Sequence, residues 1–249
     1  MKKLFTLFFV LISTFSFAQE IQWQNTIGGS GDESFSIVIN TSDGGYLLGG
    51  NSYSDISGDK TEDSQGSFDM WIVKINPIGN IEWQNTIGGN SSDAVVSVIQ
   101  TFDGGYLLGG VSSSNISGDK TENSIGGADY WIVKIDFLGN IQWQNTIGGS
   151  DDDVIQSIIQ TSDGGYVLGA VSSSTISGDK TENSIGAADY WIIKTNSTGI
   201  ILWQNTIGGD NIDQLFSVVK ASDDGYILGG FSYSNVSGDK TENSIGDED

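Results

Sequence analysis

Apolar and polar positions alternate along this chain in short runs, with no stretch at the 3.6-residue spacing of a helix, and the alternation returns in register every 60 residues. Trp23, Trp83, Trp143 and Trp203 each open the string Trp-Gln-Asn-Thr-Ile-Gly-Gly, while Trp71, Trp131 and Trp191 each open Trp-Ile-(Val/Ile)-Lys. Those two series account for all seven Trp. Strand patterns recurring at a fixed period of this size point to stacked β units, so the repeat governs every local reading.

Within the second unit the apolar run at residues 95–101 is followed by Asp103-Gly104-Gly105 and a second run at residues 106–112, which predicts a hairpin with a tight turn. In the fourth copy the turn reads Asp223-Asp224-Gly225, so the first Gly is replaceable while Gly45, Gly105, Gly165 and Gly225 recur. The expectation is a type I′ turn whose second Gly carries φ > 0. A long polar loop leads to residues 130–135. Asp136-Phe137-Leu138-Gly139 then suits a type I turn closed by a left-handed residue, and residues 140–147 form the last run.

Four strands joined in this way make an antiparallel meander. Trp131, Val133 and Ile135 point to one face, and Ile132 and Lys134 to the other, so both faces carry bulk to bury. The expected class is all-β, a β-propeller-like array of four-stranded antiparallel blades in about four 60-residue repeats. The approximate units are 29–88, 89–148, 149–208 and 209–249, within a repeat domain spanning 19–249. A β-solenoid usually has shorter rungs, and independent 60-residue domains would bury too little surface alone. Asp249 aligns with Asp69, Asp129 and Asp189, which leaves the last unit incomplete and raises the expectation that the frame is cut from a longer array. Residues 21–27 read as an isolated fourth strand, and open blade edges would favour self-association.

An apolar strand ending in Gly-Gly, as in Tyr106-Leu107-Leu108-Gly109-Gly110, with an aromatic pair downstream, resembles Kelch-type blades. The combination of Asp-Gly-Gly-Tyr, Asp-Tyr-Trp-Ile-Val-Lys and Gly-Asn-Ile-Gln-Trp is similar to the repetitive propeller proteins that gliding bacteria export through the type IX route. The resemblance implies an exported, Kelch-like propeller; proteins of that kind often end in a C-terminal sorting domain.

The first residues agree with export. Lys2 and Lys3 precede an apolar run, and Ser16-Phe17-Ala18 forms a small-x-small cleavage site, so residues 1–18 read as a signal peptide. No later stretch has the roughly 20 apolar residues that a spanning helix needs. Ten Lys and no Arg stand against 32 Asp and Glu, a formal charge of −22, which repels phosphate backbones and makes nucleic acid a poor partner. Acidity alone would also keep an exported protein soluble.

The two long loops of each unit leave the meander on one rim. Asp59, Asp119, Asp179 and Asp239 lie in the first, and Asp93, Asp153 and Asp213 follow the second, with Glu33 in register. Carboxylates of this kind are candidate Ca²⁺ ligands. The alternative is that the Asp59 series forms Asx turns, with Lys60 and Glu62 solvated. Lys74, Lys134 and Lys194 sit between apolar strand neighbours and need carboxylates. Candidates are Asp69, Asp129 and Asp189 or the loop acids, in a structural pair between blades. Asp43, Asp103, Asp163 and Asp223 read as turn formers.

Without His, Cys or Arg the chain has no Ser-His-Asp triad, thiolate site or arginine clamp. Two-carboxylate glycoside hydrolysis stays chemically open, yet acids that recur in every unit suit a scaffold better than a single catalytic centre. The expected function is a non-enzymatic secreted or cell-surface scaffold that binds a protein or glycan through its acidic long-loop rim. A carbohydrate-active enzyme, or an accessory fragment of one, is the alternative.

Overall fold

The computed structural model describes residues 20–246, so the signal-peptide reading of residues 1–18 and the alignment of Asp249 lie outside the described residues. Among the described residues every regular element is a strand. The first sheet is β1 (Glu33–Asn40), β2 (Tyr46–Ser52), β3 (Asp69–Ile75) and β4 (Ile81–Ile87). The second is β5 (Asp93–Gln100), β6 (Tyr106–Ser112), β7 (Asp129–Ile135) and β8 (Ile141–Ile147), and the third is β9 (Asp153–Gln160), β10 (Tyr166–Ser172), β11 (Asp189–Thr195) and β12 (Ile201–Ile207). The hairpin of β13 (Asp213–Lys220) and β14 (Tyr226–Ser232) follows. Each sheet is an antiparallel meander in sequence order. The protein is a propeller-like array of all-β blades.

Two bulges recur and bend each sheet. The first strand shifts register at Phe35/Ile37 and at the equivalent places in the later units, and the fourth shifts opposite Lys74/Ile75 and its equivalents. An extra residue at these points bends the strand and sharpens its local twist.

The two-sided burial expected from the third strand is what packs the array. Trp131, Val133 and Ile135 join Leu47, Met70 and Ile72 of the first sheet in one core. Tyr130, Ile132 and Leu107 face the other way and meet Ile155, Ile158, Trp191 and Ile193 of the third. All seven residues of β7 are buried. A Trp side chain of this kind withdraws roughly 150–250 Å² from water, several kcal/mol at about 25 cal/mol per Å². Deletion within a strand would reverse its faces and forfeit both cores at once.

The tight turn differs from the expectation. Gly44 N–H donates to Thr41 O at 2.9 Å, and the left-handed residue is the first Gly: φ is 85° at Gly44, 84° at Gly104 and 82° at Gly164. Asp224 takes that role at φ 66°, a conformation that Asp tolerates better than most residues. The recurring second Gly is required for another reason. A Cβ on Gly45 would collide with the carbonyl oxygen of Ile75 and come within 2.5 Å of Lys74 Nζ, because the next hairpin crosses directly over it. The turn at Asn76-Pro77-Ile78-Gly79 follows the expected form, with Gly79 at φ 85°.

Residues 21–27 form no strand, and among the described residues no strand pairs with them. They nevertheless occupy the place of a fourth strand. Trp23 lies 6.1 Å from Tyr46 as Trp83 does from Tyr106, and Asn25 Nδ2 donates to Gly79 O as Asn85 does to Gly139 O.

Candidate functional site: the long-loop rim

Both long loops emerge on one rim and lock together there. The loop between β2 and β3 turns back on itself at Ser57 and Lys60, where Lys60 N–H donates to Ser57 O at 2.9 Å, and Gly58 holds φ 56° between them. The same closure recurs at Ser117/Lys120, Ser177/Lys180 and Ser237/Lys240. Each closed loop grips the segment that links one sheet to the next. Asp119 N–H donates to Gly88 O at 2.9 Å, Gly88 N–H donates to Asp119 Oδ2 at 3.2 Å, and Asn90 N–H donates to Ser117 Oγ at 2.8 Å. Gln65 Nε2 of the first sheet's loop donates to Asp119 Oδ2 at 2.5 Å, so the tie also crosses the junction.

Each of the seven candidate metal ligands accepts loop donors through one of its carboxylate oxygens. Asp59, Asp119, Asp179 and Asp239 accept the N–H of Gly28, Gly88, Gly148 and Gly208. Asp93, Asp153 and Asp213 accept the N–H of Gly89, Gly149 and Gly209 and the hydroxyls of Ser114, Ser174 and Ser234. Among the described residues no group of three or more acids is arranged to hold a metal ion. The two series act as clamps on backbone that would otherwise be left without partners.

Lys60, Lys120 and Lys180 correct the expectation that this lysine is solvated: each is buried beneath its loop. Lys60 Nζ donates to Ser54 O at 2.7 Å and Glu62 O at 2.9 Å. Lys120 Nζ donates to Thr146 Oγ1 at 2.9 Å and stands 5.1 Å over the Trp131 ring. Burial pulls the Lys120 ammonium down to about 8, against the attraction of Asp93, Asp129 and Glu122. The sequence signal was the identical Ser-Gly-Asp-Lys in all four units, which pure loop chemistry does not demand.

The strand lysines pair at the opposite rim, and within a sheet rather than between blades. Lys74 lies 2.9 Å from Asp43 and 2.8 Å from Glu82, Lys134 is 3.0 Å from Asp103, and Lys194 is 3.1 Å from Asp163. The turn aspartates thus do more than shape the turn, while Asp69, Asp129 and Asp189 are not in these pairs. Hydrogen bonds from Thr161, Gly165 N–H and Lys194 hold Asp163 down at about 2.

What the rim offers to solvent is regular. Ile56, Ile116 and Ile176 are 60–61% exposed and Val236 58%, one aliphatic side chain at the same place in every unit. None of them is loose: their N–H groups donate to Asp63, Asn123, Asn183 and Asn243 at 2.9–3.1 Å. Glu62, Glu122 and Glu182 are fixed nearby by accepting the N–H of Thr86, Thr146 and Thr206. A cleft of about 360 Å³ opens between the second and third sheets, with Glu122 and Asp179 both in its lining. Burial raises Asp179, and Glu122 and Asp153 raise it further.

No family model matches the chain, and no curated protein matches it. Two solved structures are similar in outline. One is a protein of unknown function from Bacteroides caccae, 11% identical at a TM-score of 0.47 over 84% of this chain and 57% of its own. The other is a protein of unknown function from Dyadobacter fermentans DSM 18053, 11% identical at a TM-score of 0.36 over 87% of this chain and 79% of its own. The chain thus spans little more than half the length of the first. Among the described residues no helix is long and apolar enough to cross a membrane.

Proposed function

We propose that the chain is an exported, non-enzymatic binding or adhesion scaffold of the Kelch-like, type IX-secreted kind, and that it engages a protein or glycan with its long-loop rim. One observation carries the reading: the row of Ile56, Ile116, Ile176 and Val236, exposed at the same place in every unit on loops whose backbone is hydrogen-bonded there. A row of identical weak contacts is the form of surface that gains from avidity, since each unit after the first binds at high effective concentration. The acidic pattern of the rim favours cationic partners over nucleic acid. The exposed Phe216, Val219 and Ile227 on the β13–β14 hairpin support self-association as a further part of this reading, checked by sedimentation velocity across protein concentration.

The test is a glycan and extracellular-protein array probed with the intact chain and with Ile56, Ile116, Ile176 and Val236 all changed to Ser. A ligand held by the first and lost by the second supports the reading. Ligands bound equally by both remove the row from it.

The cleft that holds Glu122 and Asp179 favours a second reading, carbohydrate-active chemistry. It requires the two carboxyl groups to work about 5–9.5 Å apart across a glycosidic bond. Turnover in a polysaccharide hydrolysis screen that Glu122→Gln and Asp179→Asn each abolish would establish it. No turnover across the screen would remove it.

A further inference from the structure

The face that each sheet turns toward the next is built around a glycine. A Cβ on Gly49 would stand 3.1 Å from Val98 Cγ2 of β5, one on Gly109 would strike Ile158 of β9, and one on Gly169 would lie 2.8 Å from Leu215 and 3.2 Å from Val218 of β13. The aliphatic knob of each first strand thus seats in a slot that the preceding second strand leaves open, and in that seat Val98, Ile158 and Val218 are all buried. Leu47, Leu107 and Val167, two residues before each glycine, are fully buried beside the slot.

Among the described residues both halves of this junction also stand open. Gly229 occupies the slot position of β14, yet a Cβ there would meet nothing within 4 Å, and Ile227 beside it is 61% exposed. Phe216 and Val219 widen the apolar face around that slot. Val38 is the knob of β1 and is 63% exposed. It borders an apolar groove of about 450 Å³ lined with Trp23, Ile27, Tyr46, Leu48 and Ile75. Tyr46 and Leu48 are half-buried there, whereas their equivalents Tyr106 and Leu108 are buried in one core with Leu47 of the first sheet.

We infer that a second copy of the chain covers these faces, with β1 of one copy seated on the β13–β14 hairpin of the other. Val38 enters the slot over Gly229, and Ile227 enters the groove by Tyr46 and Leu48, as Val98 and Leu47 do between the first and second sheets. The contact continues the packing of the three junctions inside the chain. It is heterologous, because the two surfaces differ: each copy that joins uses one face and still offers the other, and assembly passes the dimer unless the rotation closes a ring. Two copies lose translational and rotational freedom on joining, a cost that junctions within one chain do not bear. A charge of −22 on each copy opposes contact as well, so stacking strengthens with protein concentration and with salt. This stacking rests on the self-association proposed above, to which it adds a partner surface and a polarity.

The test is sedimentation velocity of the full chain over a range of protein concentration at about 0.15 M salt, for wild type, Val38→Asp, Ile227→Asp and an equal mixture of the two variants. Each variant places on one face a carboxylate that docking would bury, and leaves the other face intact. The expected result is wild type larger than a monomer as concentration rises, each variant alone monomeric, and dimers in the mixture, because the V38D hairpin still accepts β1 of I227D. A wild type that stays monomeric overturns the stacking together with the self-association proposed above, and leaves the faces to a different partner. V38D or I227D associating as wild type does overturns the stacking alone, since like faces would then be joining. A mixture without dimers overturns the polarity. Should an Asp variant fail to fold, Val38→Cys and Gly229→Cys take its place, each the sole thiol of a chain without Cys. Mixed under mild oxidation, they should give a disulfide between the two different variants, identified by intact mass, in excess over either like-with-like dimer. Like dimers in equal or greater amount, or no disulfide at all, would overturn the stacking. Neither pair of substitutions touches the Ile56 row, so the rim reading stands or falls separately.

Discussion

Lys134 Nζ and Asp103 Oδ2 stand 3.0 Å apart, joining the second sheet's third strand to the turn between its first two. The lysine is almost fully buried, while the aspartate is 58% exposed and also accepts Thr101 Oγ1 and Gly105 N–H. The pair therefore fixes the turn over the strand rather than joining blades.

Removing the aspartate should cost more than removing the lysine. Asp103→Ala takes the carboxylate from a buried ammonium and leaves it only the neutral acceptors Ile135 O and Gln142 Oε1, whereas Lys134→Met replaces it with an apolar side chain of similar length. The half-exposed partner tempers the loss, so the expected costs are about 1–3 kcal/mol for D103A and under about 1 kcal/mol for K134M. Urea midpoints of the two variants check the order, and a K134M loss larger than that of D103A would contradict it.

The two glycines of the tight turn should fail for different reasons. Gly105→Ala forces a Cβ against Ile135 O and Lys134 Nζ, an overpacking cost of about 1–3 kcal/mol. Gly225→Ala meets nothing closer than an Asp223 oxygen at 3.1 Å and should be near neutral. Gly104→Ala has open space but φ 84°, and should lose about 1 kcal/mol from backbone strain alone. Thermal unfolding of the three variants separates close approach from conformation.

Strong acid should loosen the ion pairs at the tight-turn rim. Thr41, Lys74 and Gly45 N–H hold Asp43 well below the usual carboxylate range, and Asp163 is held at about 2. A depressed folded value contributes stability above the unfolded value of about 4 and loses it as pH falls through the folded one. Melting temperature should thus fall between about pH 4 and about pH 2, and Asp163→Asn should reduce that fall.

The strand order, the faces of β7 and the turn at Gly139 could all be read in the sequence, because each follows from alternation or from a residue type bound to one turn geometry. Gly105 could not be assigned correctly. Its recurrence was visible, but the carbonyl that forbids a side chain comes from Ile135, brought there only by the third strand. Lys120 was misread for a similar reason. Its neighbours Asp119 and Thr121 are polar, and only stacking of Trp131 and Thr146 beneath the loop buries it. The aspartate clamps fell between the two cases: the recurrence of Asp93 and Asp119 marked them, while their N–H donors are set by how successive sheets interlock.

The proposed function requires the rim to be a rigid surface rather than a fringe of solvated loops. Hydrogen–deuterium exchange at the backbone N–H groups of Ile56, Ile116, Ile176 and Val236 tests this directly, since each is exposed in its side chain yet bonded through its amide. Protection comparable to that of the neighbouring strand amides is the predicted result. Exchange at the rate of an unstructured chain at these four positions would contradict it.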